Sequence, residues 1–354
     1  MKKLIYSVAA LVCVFSLASV LDWSFSIYDK PLPNDAPFIS ARACQSCHGH
    51  IVDQWKESRH AQAWSNPIFQ EGYISEPDPT CVYCHAPHKE QLEEVRRNKA
   101  WYEAMHPEKG SLLNLPAKYP EPQSQEGITC ATCHVRSGKM IAGAENTAAM
   151  HPIIVDERLK TSEFCKDCHD FPIFERDNGV LHISTTPMQT TYQEWKNWSE
   201  NGGKQQCQGC HMPDGRHEFH GANQRSLLHQ SIHIDVQSAN NKVLFQVVTN
   251  GVGHHVPSGD LFRHLTIDIQ KEEGWEEIAY IGRKFALKWE GDRSFKRLIS
   301  DTSLRPNIPQ IYEYPLEKSV QWRLVYHYGS KVDEARAVLS PSVLVEVIEQ
   351  GVIP

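Results

Sequence analysis

Five pentapeptides of the form Cys-x-x-Cys-His constrain this chain more than any other feature. They are Cys44-Gln45-Ser46-Cys47-His48, Cys81-Val82-Tyr83-Cys84-His85, Cys130-Ala131-Thr132-Cys133-His134, Cys165-Lys166-Asp167-Cys168-His169 and Cys207-Gln208-Gly209-Cys210-His211. Ten of the eleven cysteines lie in these pairs; the eleventh, Cys13, sits in an apolar N-terminal stretch. At this Cys and His content chance supplies roughly 0.02 such pentapeptides, so five are a built feature. Disulfides need no histidine after each pair, and zinc sites have no use for five successive copies ending in His. The spacing is that of covalent c-type haem attachment. Two thiols reach the two vinyl groups of one porphyrin as thioethers, and the adjacent histidine comes to lie under the ring as proximal ligand. The expected cofactor is haem c, five copies, with His48, His85, His134, His169 and His211 as proximal iron ligands.

Of the 354 residues, 40% are hydrophobic and 22% charged, a globular composition. The net charge of −7 argues against a general affinity for nucleic acid or anionic lipid. Haem propionates would make the surface more acidic still. The expected partners are redox proteins that dock through basic patches, such as other cytochromes or a quinol-linked membrane complex. Lys2 and Lys3 precede an apolar stretch from Leu4 to Leu21. It reads either as an export signal, cleaved after Ala18, or as a retained anchor just long enough to span a bilayer. Both readings put the body of the protein outside the cytoplasm, in the periplasm, the cell envelope or the extracellular space.

Residues 1–21 are therefore assigned to signal or anchor and 22–40 to a Pro-rich lead-in, with a pentahaem cytochrome c domain over 41–238. Motif intervals of 37, 49, 35 and 42 residues are too irregular for a solenoid. Short helices are expected at Val52–Ala63, Glu90–His106 and Thr190–Glu200, with the porphyrins supplying much of the core. From 239 to 354 cysteine disappears and β-branched and aromatic runs take over: Lys242–Asn250, Leu261–Gln270, Glu276–Trp289, Val320–Tyr328 and Ser342–Val352. The expected fold class is α+β: a mainly α/loop multihaem domain with little regular structure, then a small all-β sandwich-like domain.

A six-coordinate haem takes a second axial ligand, most often His. Fourteen histidines lie outside the motifs. Trp55-Lys56-Glu57-Ser58-Arg59-His60-Ala61 matches a W-x-x-S-x-H-A pattern, and Glu126-Gly127-Ile128-Thr129 leads into the third motif. His151-Pro152 precedes Ser162-Glu163-Phe164-Cys165, and Thr191-Tyr192-Gln193-Glu194-Trp195 precedes the fifth motif. His217-Glu218-Phe219-His220-Gly221 follows it, and Asn250-Gly251-Val252-Gly253-His254-His255-Val256-Pro257-Ser258-Gly259 comes later. In this order the patterns resemble multihaem c-type cytochromes related to the tetrahaem electron carrier of ammonia oxidisers. More distantly the chain is similar to hydroxylamine oxidoreductase and pentahaem nitrite reductase. The resemblance covers residues 41 to 270 and implies distal iron ligands at His60, His151, His217 and His254. His220 and His255 are the neighbouring rivals. For the remaining haem, His88, His106, His182 and His229 compete, and spacing does not say which distal histidine serves which haem.

Three roles follow. The first is electron transfer along closely packed, mostly bis-histidine haems, with no catalytic residue. The second is oxidation or reduction of small nitrogen compounds, nitrite or hydroxylamine, at one open haem. Against it, every motif ends in His where pentahaem nitrite reductases carry one C-x-x-C-K. The third is a subunit of an oligomer or extracellular filament, or a module held to a membrane through residues 4–21.

Overall fold

The computed structural model describes residues 40–75, 79–88, 90–91, 126–145, 149–177, 180–290 and 293–354. The N-terminal apolar stretch and most of the helix expected at Glu90–His106 lie outside them. Each attachment motif sits on or within a helix, and the reason is geometric. Residues i and i+3 share one helical face, so a single turn brings both thiols to one porphyrin edge.

The first motif lies in α1 (Ala41–Lys56), whose backbone departs from helical angles at His48. Ser40 caps it through a bond from the Arg42 amide, and Glu126 closes the same end. The Glu126 carboxylate accepts from Ser40 Oγ at 2.5 Å and from the Ala41 amide at 2.8 Å. After α2 (Pro67–Ser75), α3 (Pro79–His85) and α4 (Cys130–His134) carry the second and third motifs. A small sheet of β1 (Val135–Arg136), β2 (Lys139–Ala142) and β3 (Ile154–Val155) follows. The fourth motif ends in α5 (Lys166–His169), and a hairpin of β4 (Phe171–Asp177) and β5 (Val180–Gln189) leads to α6 (Thr191–Glu200). The fifth motif forms α7 (Cys207–His211), and α8 (Arg225–Ser231) feeds the first strand of the β region.

Two antiparallel sheets make up that region. One has the order β11 (Gln310–Pro315), β7 (Lys242–Thr249), β6 (Ile232–Ala239). The other runs β10 (Arg293–Asp301), β9 (Gly274–Glu290), β8 (His264–Lys271), β12 (Val320–His327), β13 (Val345–Ile353). In β7 the inward positions Val243, Phe245 and Val247 are wholly buried and alternate with more exposed neighbours, the period-2 signature of one covered face. They meet Leu265, Ile267, Ile269, Ile281 and Leu324 in one core, with the Phe245 and Trp322 rings edge-to-face at 5.7 Å. The molecule is thus mixed α+β. The strands expected from alternation appear within a few residues of their places. The helix expected at Val52–Ala63 differs: it begins at Ala41 and stops at Lys56, which leaves His60 on a run of turns.

On the far side of β8, three rings stack. His264 and His327 are cross-strand partners with centroids 4.2 Å apart and planes 6° from parallel, and Tyr280 covers His264 at 4.7 Å. Glu334, from α9 (Lys331–Arg336), meets His327 Nδ1 at 2.6 Å. These three residues bring donor atoms within 4.8 Å of one another. A cation bound by both imidazoles would have to lie in both ring planes, and nearly parallel planes do not meet between the side chains. The two imidazoles are stacked, His327 bonds Glu334, and His264 Nδ1 turns instead to the Phe262 carbonyl at 2.8 Å.

Burial, reinforced by His327, lowers the His264 pKa to about 4. A base depressed in the folded state stabilises the fold above its unfolded pKa, near 6.5, and loses that contribution as pH falls toward 4. The expected loss across this window is on the order of 3 kcal/mol. Denaturant unfolding of the haem-loaded protein at pH 7, 5.5 and 4 checks it. His264→Phe keeps the stack and flattens the pH slope; an unchanged slope contradicts this account.

Candidate functional site

The histidines of four attachment motifs each face a second imidazole. Ring centroids are 6.2 Å apart for His48 and His151, and 6.3 Å for His60 and His169. They are 6.1 Å apart both for His134 with His217 and for His211 with His254. A metal–imidazole bond of about 2 Å on each side, plus roughly 1.1 Å from nitrogen to ring centre, separates two imidazoles sharing one iron by about 6.3 Å. The four spacings fit one iron between each pair, so these residues suit haem. Ordinary van der Waals packing would bring the rings closer, as it does for His264 and His327.

The tautomers fit as well. His85 Nδ1 faces the Ala63 carbonyl at 2.7 Å, His134 Nδ1 the Ile141 carbonyl at 3.0 Å, and His211 Nδ1 the His220 carbonyl. A backbone acceptor at Nδ1 holds the proton there and leaves Nε2 free as donor to metal. Burial lowers the pKa of His60 to about 3, and that of His169 to about 4, each helped by His211. Both therefore present the neutral imidazole that ligation requires.

Local chemistry explains why His60 and His217 sit where they do. Trp55 donates its indole N–H to the Ile128 carbonyl at 2.8 Å, and the Ile128 amide donates to the His60 carbonyl at 2.9 Å. Ser58, wholly buried, accepts the Ala61 amide at 3.1 Å. Gly127 makes the fit possible: its φ is +57°, and a Cβ there would stand 2.6 Å from the His60 carbonyl oxygen. The W-x-x-S-x-H-A and E-G-I-T segments are one interlocked unit. Gln54 of α1 accepts the His217 amide at 3.1 Å, and the Phe219 ring meets His60 edge-on at 4.3 Å and His217 at 5.9 Å.

The second motif differs. Phe69 stacks on His85 at 3.7 Å with planes 9° apart. Among the described residues no imidazole stands opposite His85. His88 is buried with Nε2 at 2.9 Å from Thr129 Oγ1 and 3.0 Å from Thr132 Oγ1. His229 pairs with Glu346 at 2.8 Å. His106 and the side chain of His182 lie outside the described residues. Of the rivals, His220 approaches Glu218 at 3.6 Å, and His255 Nδ1 lies 3.9 Å from both Glu194 and Asp301.

Cysteines of different motifs also meet. With haem attached these sulfurs would be thioether sulfurs, so each such approach would bring two porphyrin edges together. Cys44 lies beside Cys130, Cys84 beside Cys168 and Cys165 beside Cys207, each close enough to shift the titration of the other thiol. Cys133 is near enough to Cys168 for the two thiols to influence each other's titration. The Ser162 amide donates to Gln206 at 2.7 Å, and the Cys207 amide to Ser162 Oγ at 2.9 Å, which fastens the fourth motif to the fifth. The first motif's thiols lie beside the third's, and the fourth's lie beside those of the second and the fifth, with the third nearby.

Sequence reading left Gly127, Glu126, Phe219 and Phe69 without a role. The first three stood inside or beside the quoted patterns, but their partners are distant in the chain.

Among family models, the outer membrane cytochrome MtrC/MtrF-like model, domains II/IV, matches residues 36–222. Among solved structures, the fold is similar to that of a penta-heme cytochrome c552 from Thermochromatium tepidum. The two are 22% identical with a TM-score of 0.62, over 92% of this chain and 100% of that one. The chain has no significant match among curated protein sequences.

Proposed function

The chain belongs to the MtrC/MtrF-like family of outer membrane cytochromes, and from that premise we propose that it conducts electrons through five covalently held haems, four of them ligated by two histidines. As a multihaem c-type cytochrome it transfers electrons, the chemistry that haem c supplies when bound. The single observation that carries the finer reading is the set of four imidazole pairs at 6.1–6.3 Å. His151, His60, His217 and His254 are the distal ligands opposite His48, His169, His134 and His211. Saturating both axial positions leaves such an iron no place for substrate. The sulfur contacts favour a conducting row with the fourth motif as its junction and the first at one end, where His48 and His151 are both exposed.

Stopped-flow reduction of the haem-loaded protein by a small viologen tests this reading. Electrons are expected to equilibrate over the linked haems faster than they arrive. A group of haems that fills separately and slowly contradicts it.

A second reading rests on His85. An iron without an imidazole opposite would bind small ligands, which favours redox chemistry on small nitrogen compounds at the second motif. The reduced protein is expected to bind one carbon monoxide per chain, counted by Soret titration. No uptake removes this reading and leaves the carrier alone.

Export is supported by the attachment motifs and by the family's outer-membrane description. No helix among the described residues is long and apolar enough to cross a membrane. Redox proteins outside the cytoplasm, cytochromes or a quinol-linked complex, remain the proposed partners. The tie to the carriers of ammonia oxidisers, filament assembly and anchoring through residues 4–21 stay proposals from sequence.

A further inference from the structure

We propose that Glu194 is a positioning residue for the distal ligand of the fifth haem: from helix α6 it fixes the turn that carries His254. The proposal rests on the reading of His254 as that ligand. Glu194 is only 8% exposed, unusual for a carboxylate. Its Oε2 accepts from the His255 amide at 3.1 Å and from Ser258 Oγ at 2.6 Å, and its Oε1 accepts from Thr190 Oγ1 at 2.6 Å. Thr191 Oγ1 lies 2.7 Å from the same Ser258 hydroxyl.

The next turn of α6 adds shape to charge. Trp198, four residues on and on the same face, lies flat on the turn. A Cβ at Gly253 would stand 2.9 Å from its indole. Arg283 adds donors to the carbonyls of Gly259 at 2.6 Å, within the same turn, and of Met188 at 3.0 Å, just before α6. Hydrogen bonds to an ionised carboxylate are roughly twice as strong as neutral ones, and buried charge is tolerated only when so compensated.

The consequence reaches His254 through one residue. Glu194 holds the amide of His255, and the carbonyl of His255 holds His254 Nδ1 at 2.8 Å. That bond aims the His254 ring at His211, 6.1 Å away and 12° from parallel. Glu194 therefore sets the fifth iron's coordination without touching it. It also explains why Thr191-Tyr192-Gln193-Glu194-Trp195 and the later G-H-x-x-P-S-G turn occur in one chain: they are two halves of one ligand mount.

The test uses haem-loaded Glu194→Ala, Glu194→Gln and His254→Ala, with haem counted per chain and spin state read by near-infrared magnetic circular dichroism. Expected are an unchanged haem count in Glu194→Ala, partial conversion of one low-spin site, and at least a tenfold rise in the rate of added imidazole binding. His254→Ala converts the same site fully, and Glu194→Gln, which keeps one acceptor oxygen, restores most of the low-spin signal. Ser258→Ala removes one donor, gives the same change in smaller degree, and serves if Glu194→Ala does not accumulate. If His254→Ala converts one haem while Glu194→Ala and Ser258→Ala convert none, the positioning role is overturned and ligation by His254 stands. If His254→Ala converts none, the ligand assignment falls and the proposal with it.

Discussion

A chain carrying Cys165→Ala together with Cys168→Ala is expected to lose far more than a fifth of its conducting capacity. The fourth motif lies among its three neighbours: Cys168 is beside Cys84 and near Cys133, and Cys165 is beside Cys207. Without a haem there, the first and third sites are parted from the fifth, and the second is isolated. Electron transfer from the first site to the fifth is expected to slow by well over tenfold, each tenfold being about 1.4 kcal/mol on the barrier. Removing the porphyrin where three neighbouring motifs converge also strips the core, so the yield of folded protein falls. Cys44→Ala with Cys47→Ala is the control. It deletes an end of the row, leaves four haems in a continuous path, and keeps transfer between the third and fifth sites. Pyridine haemochrome stoichiometry and stopped-flow reduction read both variants. Equal losses in the two would refute the junction.

The second large effect belongs to a residue without a side chain. Gly127→Ala puts a Cβ where the His60 carbonyl oxygen would stand 2.6 Å away and the Ala63 amide 2.9 Å away. It also forces an L residue to a φ of +57°, which alone costs about 1–2 kcal/mol. With the displacement of the 60–63 turn added, about 3 kcal/mol of destabilisation is expected. Because His60 moves with that turn, part of the fourth site should turn high-spin, as all of it should in His60→Ala. Thermal unfolding and the low-spin signal, measured on the same preparations, check the two effects together. A Gly127→Ala protein with native stability and a full low-spin signal would show that the segments do not interlock.

How much of this was legible in the sequence depends on how far each feature reaches along the chain. The attachment motifs were readable because two vinyl groups and one iron demand contiguous residues. The imidazole pairs were not: His48 and His151, or His60 and His169, are brought together by packing that no local spacing encodes. The proposed distal residues were nameable only through short patterns, and the pairing proposed for them rests on ring spacings that only the fold supplies.

The same divide holds in the β region. β7, β8, β9 and β12 carry alternating or continuous apolar runs because they are interior strands. β6, β10 and β11 are edge strands, and the exposed Asp235 and Gln237 of β6 and Glu313 of β11 interrupt their apolar runs. Pro172 and Pro187 likewise disguised the β4–β5 hairpin. Helix α1 was placed eleven residues late because its first turns are made of the Cys-Gln-Ser-Cys-His motif itself. Its closure at the N-terminal end comes from Glu126, 85 positions away from the Ala41 amide it accepts.

The central claim is that four irons are each held between two histidines and that the second motif's iron is not matched in the same way by the described residues. Near-infrared magnetic circular dichroism on the fully oxidised, haem-loaded protein, quantified against total haem, tests it most directly. The bis-histidine charge-transfer band is expected to account for four of the five haems, and to drop to three in His60→Ala. A band worth fewer than four haems, or one untouched when His60 is removed, would contradict the pairing on which the account rests.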